Sequence, residues 1–254
     1  MSSPVVSGSL VGLTLGLVGG GGSILAVPLL LYVVGLKNPH IAIGTSALAV
    51  SANAFANLIA HARAGHVKWP CAVVFGAAGV AGAFAGSSLG KRIDGERLLF
   101  LFGLVMVAVA LAMLRPRNGE GDPNVRLNPA MAARLAAIGF ATGALSGFFG
   151  IGGGFLIVPG IMLGSGMAIL YAVGSSLFSV GVFGLATATN YAADGLVDWR
   201  VAGEFIAGGV AGGLVGLAFA KRLAARKGAL SKVFSGLVLV VAAYVLWRSR
   251  AAWA

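Results

Sequence analysis

The feature that most constrains this chain is an apolar run too long to be one plain membrane-spanning helix. Residues from Val5 to Leu36 carry no charged side chain, and four consecutive glycines, Gly19 to Gly22, interrupt them. As a continuous helix the run would be roughly 46 Å long, against a hydrocarbon core of about 30 Å. Split at the glycines, each half is roughly 20 Å, too short to cross alone. Glycine is unfavourable inside a helix, so the cluster predicts a strongly broken helix or a re-entrant hairpin.

The same interruption occurs again. At an offset of 131, Gly19, Gly21, Gly22 and Pro28 match Gly150, Gly152, Gly153 and Pro159. At an offset of 130, Gly44-Thr45-Ser46 matches Gly174-Ser175-Ser176, the stretch from Gly65 to Trp69 matches that from Gly195 to Trp199, and Lys91-Arg92 matches Lys221-Arg222. An ordered series of this length indicates duplication. The expected organisation is repeat 1 over 1–114, a hydrophilic linker over 115–129, rich in Pro, Gly and charge, and repeat 2 over 130–254. Each repeat holds four apolar segments: Val5–Leu36, Ile41–Ala60, Ala72–Leu89 and Leu98–Leu114, then Leu135–Leu163, Ala168–Tyr191, Val201–Ala220 and Leu230–Trp247.

Composition sets the solvent. The chain is 58% hydrophobic and 10% charged, with a mean hydropathy of +0.96, whereas soluble domains carry about 25% charged residues. The runs lack period-two alternation, which favours helices over a barrel and points to an all-α integral membrane protein. The net charge of +11 comes from Lys and Arg in the loops and follows the positive-inside rule, so no nucleic-acid partner is expected. No cleavable signal peptide is expected, because residues 1–4 lack a basic region and the first apolar run exceeds signal length. The single cysteine, Cys71, reads as a small packing residue and makes no cage for a metal. No cofactor is implied.

The orientation of the repeats depends on the first segment of each. If both span, the repeats are parallel and the 18 Lys and Arg residues divide nine to nine. If both are hairpins, the repeats are inverted and the division is 7 to 11, with Arg63, Lys68, the 115–134 stretch and Lys221–Lys232 on the richer side. The hairpin arrangement fits the positive-inside rule better and puts that side in the cytoplasm.

Candidate chemistry begins at the breaks. A helix start presents free N–H groups and partial positive charge, and glycine lets a ligand approach the backbone. Gly19, Gly20, Gly21, Gly22 and Ser23, with Gly150, Gly152, Gly153 and Gly154, are therefore expected to bind a small anion. The alternative is that these glycines only permit tight helix crossing. Thr45, Ser46, Asn53, Asn57 and His61 share one arc of the second segment. Their counterparts include Ser175, Ser176 and Thr187, with Ser179 and Asn190 on the same arc. These neutral groups either line the anion's path or bond between helices. Glu204 and His61 are candidates for proton coupling, although Arg200 stands four residues before Glu204 and could pair with it. Two small-residue ridges, Ala78-Gly82-Gly86-Gly90 and Gly208-Gly212-Gly216-Ala220, predict close packing between the repeats or at a homodimer seam. No HExxH, phosphate-binding loop or Cys cluster supports an embedded enzyme.

The paired signature at Gly16–Pro28 and Gly147–Pro159, with Ala42–Ser46 and Ala172–Ser176 after it, resembles the TauE/SafE sulfite exporter family, also called the toluene-sulfonate uptake permease group. The resemblance implies an inner-membrane permease for sulfite, sulfonates or related organic anions, often moving them outward. The resulting expectation is a secondary transporter working by alternating access around a midplane site. A passive anion channel on the same scaffold is the alternative.

Overall fold

The computed structural model describes residues 3–114, 121–149, 154–224 and 229–249. Ten α-helices account for most of them: α1 (Ser3–Val18), α2 (Ala26–Tyr32), α3 (Pro39–Arg63), α4 (Trp69–Gly90), α5 (Gly95–Leu114), α6 (Pro129–Phe149), α7 (Gly154–Ser165), α8 (Ile169–Ala192), α9 (Trp199–Ala224) and α10 (Ala229–Ser249). A 3-10 segment, Gly19–Leu25, joins α1 to α2. Thus the first and fifth apolar segments are each divided in two, and the other six are single helices.

Polar caps mark where helices start. The Asn38 side chain accepts from the His40 and Ile41 amides, Asp94 from Glu96 and Arg97, Asn128 from Met131, and Asp198 from Val201. Each satisfies N–H groups that the first turn leaves open. Pro39 and Pro129 open α3 and α6, where the missing N–H costs nothing.

Among the described residues, six helices are long and apolar enough to cross a membrane: α3, α4, α5, α6, α8 and α9. For α6 the polar start at Asn128 and Arg134 matters. Its uncharged part, Leu135–Phe149, covers only about 22 Å.

The glycine ridges fix the helix pairing. Gly8, Gly12 and Gly16 of α1 abut Phe205, Gly209 and Gly213 of α9, while Gly208, Gly212 and Gly216 abut Val5, Ser9 and Leu13. A Cβ at any of these glycines would overlap the facing backbone. The α4–α6 pair uses the same device: Gly139, Gly143 and Gly147 meet Phe75, Gly79 and Ala83, and Gly82, Gly86 and Gly90 meet Phe140, Ala144 and Phe148. Both ridges are therefore used inside one chain, so neither is left free as a homodimer seam.

These registers give directions. Residue numbers rise together along α1 and α9, along α3 and α9 (Asn53 on Gly209, Asn57 on Gly213), and along α4 with α6 and α8. They run oppositely along α3 and α8, where Gly44 lies by Tyr191 and Gly174 by His66. Hence α1, α3 and α9 point one way and α4, α6 and α8 the other. The α3–α8 pair lies at the centre. Most of both helices is buried.

Candidate functional site

The first break is a turn back, and it is tightly held. Gly19 has φ of 64°, a left-handed conformation that disfavours any side chain with a Cβ. The chain then doubles onto α1. Gly22 sits against the Thr14 and Leu15 backbone, where a Cβ would overlap, and the Thr14 hydroxyl donates to the Gly22 carbonyl at 3.2 Å. Ser23, fully buried, donates to the Gly20 carbonyl at 2.8 Å. The tip packs against α7 and α8. There the Gly20 N–H donates to the Ser176 hydroxyl at 3.1 Å, and that hydroxyl donates to the Val173 carbonyl at 2.7 Å. Ser176 therefore clamps the tip with both its donor and an acceptor site engaged.

In the second half, α7 returns along α6: Gly160 faces Ile138 and Thr142, and Gly164 faces Leu135 and Ile138. This too is a hairpin by geometry. Gly150, Gly152 and Gly153 lie outside the described residues, and Gly154 is the first residue of α7.

Thr45 and Ser175 hold loops. The Thr45 hydroxyl accepts the Asp198 N–H at 2.9 Å, and the Ser175 hydroxyl accepts the Lys68 N–H at 2.9 Å. Each loop also lays a carbonyl over the neighbouring glycine, Leu196 on Gly44 and His66 on Gly174. The two contacts are reciprocal, because Thr45 and Ser175, and likewise Lys68 and Asp198, stand 130 residues apart. Ser46 donates to the Ile43 carbonyl at 2.8 Å, as Ser176 does to Val173.

Asn53, Asn57 and His61 face α1 and α9. Asn53 packs on Gly209 and Asn57 on Gly213. The Asn57 amide donates to the Asn53 carbonyl at 2.8 Å. Both polar atoms of the Asn53 side chain are buried without a hydrogen-bond partner among the described residues, as are the hydroxyls of Ser146, Ser179 and Thr187. His61 is fully buried. Its Nε2 lies 3.1 Å from the Gly16 carbonyl, one turn before the break, and its ring meets that of His66 edge-on at 5.6 Å. Glu204 is elsewhere. It pairs with Arg200 at 3.4 Å near the start of α9, and the Arg200 side chain is 89% exposed.

One cluster escaped the sequence reading. Lys91, at the end of α4, bonds to the Asn190 carbonyl at 3.1 Å, to its side chain at 2.8 Å and to the Asp194 carboxylate. Asn190 in turn donates to Ser87 at 2.6 Å and Ser88 at 3.0 Å. The signal available was Lys91 at the close of one apolar segment and Asn190 and Asp194 at the close of another. Nothing in the sequence said that those two ends meet.

The interior contains amides, hydroxyls and one histidine. Among the described residues no carboxylate, lysine or arginine is buried. Apolar spanning helices around such an interior make this an integral membrane protein with a neutral polar core. Comparison with known proteins gives it a family. The profile of the sulfite exporter TauE/SafE family matches residues 5–245, and the chain belongs to that family. It is 58% identical over 247 residues to a "Probable membrane transporter protein" of Xylella fastidiosa, covering 96% of this chain and 94% of the relative. It is 27% identical over 240 residues to "Probable membrane transporter protein YunE" of Bacillus subtilis, covering 86% and 88%. No solved structure matches it. The chain is a membrane transporter of the TauE/SafE family, integral to the bacterial inner membrane.

Proposed function

We propose that this transporter moves small sulfur oxyanions, sulfonates or related organic anions by alternating access, around a site where two re-entrant hairpins meet. The observation that carries the reading is the seating of the first tip, Gly19–Leu25, between α7 of the second hairpin and Ser176 of α8. Tips built from glycine expose backbone N–H groups to a ligand, and such groups bind oxyanions without a compensating cation. The lack of a buried carboxylate among the described residues favours an anion over a cation, since nothing there would repel it. The unpartnered Asn53 amide and the Ser179 and Thr187 hydroxyls supply further neutral donors; burying them without a ligand is costly.

The two halves, 1–114 and 130–254 about the 115–129 linker, act as inverted repeats. Helix direction supports this: α1, α3 and α4 each run opposite to their counterparts α6, α8 and α9. The loops held by Thr45 and Ser175 then lie at opposite ends of the central helix pair and serve as the two gates. Releasing one while the other holds would expose the site to one side at a time. The anion ligands are the tip residues Gly19 to Ser23 and Gly150 to Gly154, with Ser46 and Ser176 positioning the tips. Where a proton gradient drives transport, His61 is the coupling group, because it touches the turn before the break and Glu204 does not.

Proteoliposomes loaded with sulfite, sulfate, thiosulfate, a sulfonate or a carboxylate test the reading. Saturable uptake with trans-stimulation by one of the sulfur anions is the expected result. Unsaturable flux indifferent to trans anion would mean a channel, and no flux of any of these anions would remove the assigned substrate class.

A further inference from the structure

The halves differ where Trp69 and Trp199 open their helices. In the first, Trp69 opens α4 and meets the ring of Phe178 edge-on, with centroids 6.1 Å apart. Phe178 reaches it over Gly76, where a Cβ would stand only 2.8 Å from the ring. At an offset of 130 the three counterparts are Trp199, Leu48 and Ile206. Leucine cannot reach as far as phenylalanine, and isoleucine closes the seat that glycine leaves open. Leu48 therefore cannot make with Trp199 the ring contact that Phe178 makes with Trp69. Beside Leu48 and Trp199 lies a groove of about 440 Å³, bounded along α8 by Leu185, Ala188, Thr189 and Ala192 and closed by Val197. Trp199 is 67% exposed, against 46% for Trp69.

We infer that this groove holds one acyl chain of a membrane phospholipid. The internal counterpart indicates what fits, because the other half fills the matching space with a purely apolar side chain of its own. The groove's direction indicates how the occupant enters. It starts at Trp199, the first residue of α9, where an indole sits at the membrane interface. It continues inward along α8 from Ala192 to Leu185, about 10 Å at 1.5 Å per residue. A ligand anchored at the interface with an apolar tail pointing into the bilayer has this shape. A water-soluble anion would meet a mostly aliphatic wall there, because the one hydroxyl, that of Thr189, donates to the Leu185 carbonyl at 2.8 Å. The inference rests on the pairing of the two halves and not on the substrate assigned above, so either can fail alone.

Native mass spectrometry of the full chain, purified in mild detergent from its membrane, tests it. The wild-type protein is expected to retain one phospholipid per chain. Ala192→Phe, which fills the groove from α8, and the pair Leu48→Phe with Ile206→Gly, which rebuilds the other half's arrangement, are both expected to lose that adduct. Phe178→Leu, which empties the matching space beside Trp69, is expected to gain a second. No retained phospholipid in the wild type, or an unchanged adduct in Ala192→Phe and in the double variant, would overturn the assignment. So would a doubled protein mass that Ala192→Phe abolishes, because a second copy of the chain would then be the occupant.

Discussion

The Ser51 hydroxyl donates to the Gly181 carbonyl at 2.7 Å, and the two residues are 130 apart in sequence. They are thus each other's counterpart, meeting where α3 crosses α8. Two copies related by a two-fold axis must cross at such a self-paired position. The contact supports inverted halves through a single bond.

The Gly19 turn is the first place to test. Alanine there must adopt a left-handed φ, at about 1–2 kcal/mol, and its Cβ would press on Val173 and Ser176. Gly19→Ala is expected to displace the tip and abolish anion transport while the protein still elutes as a single species in detergent. Transport at the wild-type rate would separate the tip from function.

Ser176→Ala leaves the Gly20 N–H buried without its acceptor, a cost of about 1–3 kcal/mol. The thermal midpoint should fall and anion affinity should weaken. Ser46→Ala, at the counterpart position, is expected to give a similar loss. Thermal unfolding and anion titration read both effects.

The two loops proposed as gates are not equally fastened. Lys91 ties Asp194 at the end of α8, whereas the counterparts of Asn190 and Asp194 in the first half are Ala60 and Ala64. Asp194 is half exposed, so the ion pair contributes modestly, about 0.5–1 kcal/mol. In Asp194→Asn, amide hydrogen exchange over residues 194–198 should quicken about two- to fivefold, with residues 64–68 unchanged. Equal quickening at both loops would mean a general loosening and no gate.

Proton coupling separates His61 from Glu204. If a pH gradient stimulates uptake, His61→Gln should lose the stimulation and Glu204→Gln should keep it. The reverse outcome would move coupling to the surface pair at Arg200.

Much of this architecture was legible in the sequence because length and polarity in a bilayer leave few choices. A 32-residue uncharged run with a glycine break has to fold back or break, and the Gly19 turn is where it does so. The small-residue ridges announced close helix packing, though only the contacts decided that their partners are α1 and α6. The polar stripe was harder to read. Thr45 falls on the same arc as Asn53 and Ser175 on the counterpart arc of α8, but their partners are backbone amides 153 and 107 residues away, and helical periodicity carries no information about which loop will land on a hydroxyl. The same limit hid the Lys91–Asp194 tie and the contrast between Phe178 and Leu48. Each depends on which helix ends are brought together in space.

The central claim is that the two hairpin tips together hold the anion. The most direct measurement is anomalous diffraction from crystals grown with a bromine-labelled sulfonate. Bromine density is expected between the tips, within contact of residues 19–23 and 150–154 and near Ser176. Density confined to a surface cleft such as that beside Lys37 and His40, with none between the tips, would contradict it.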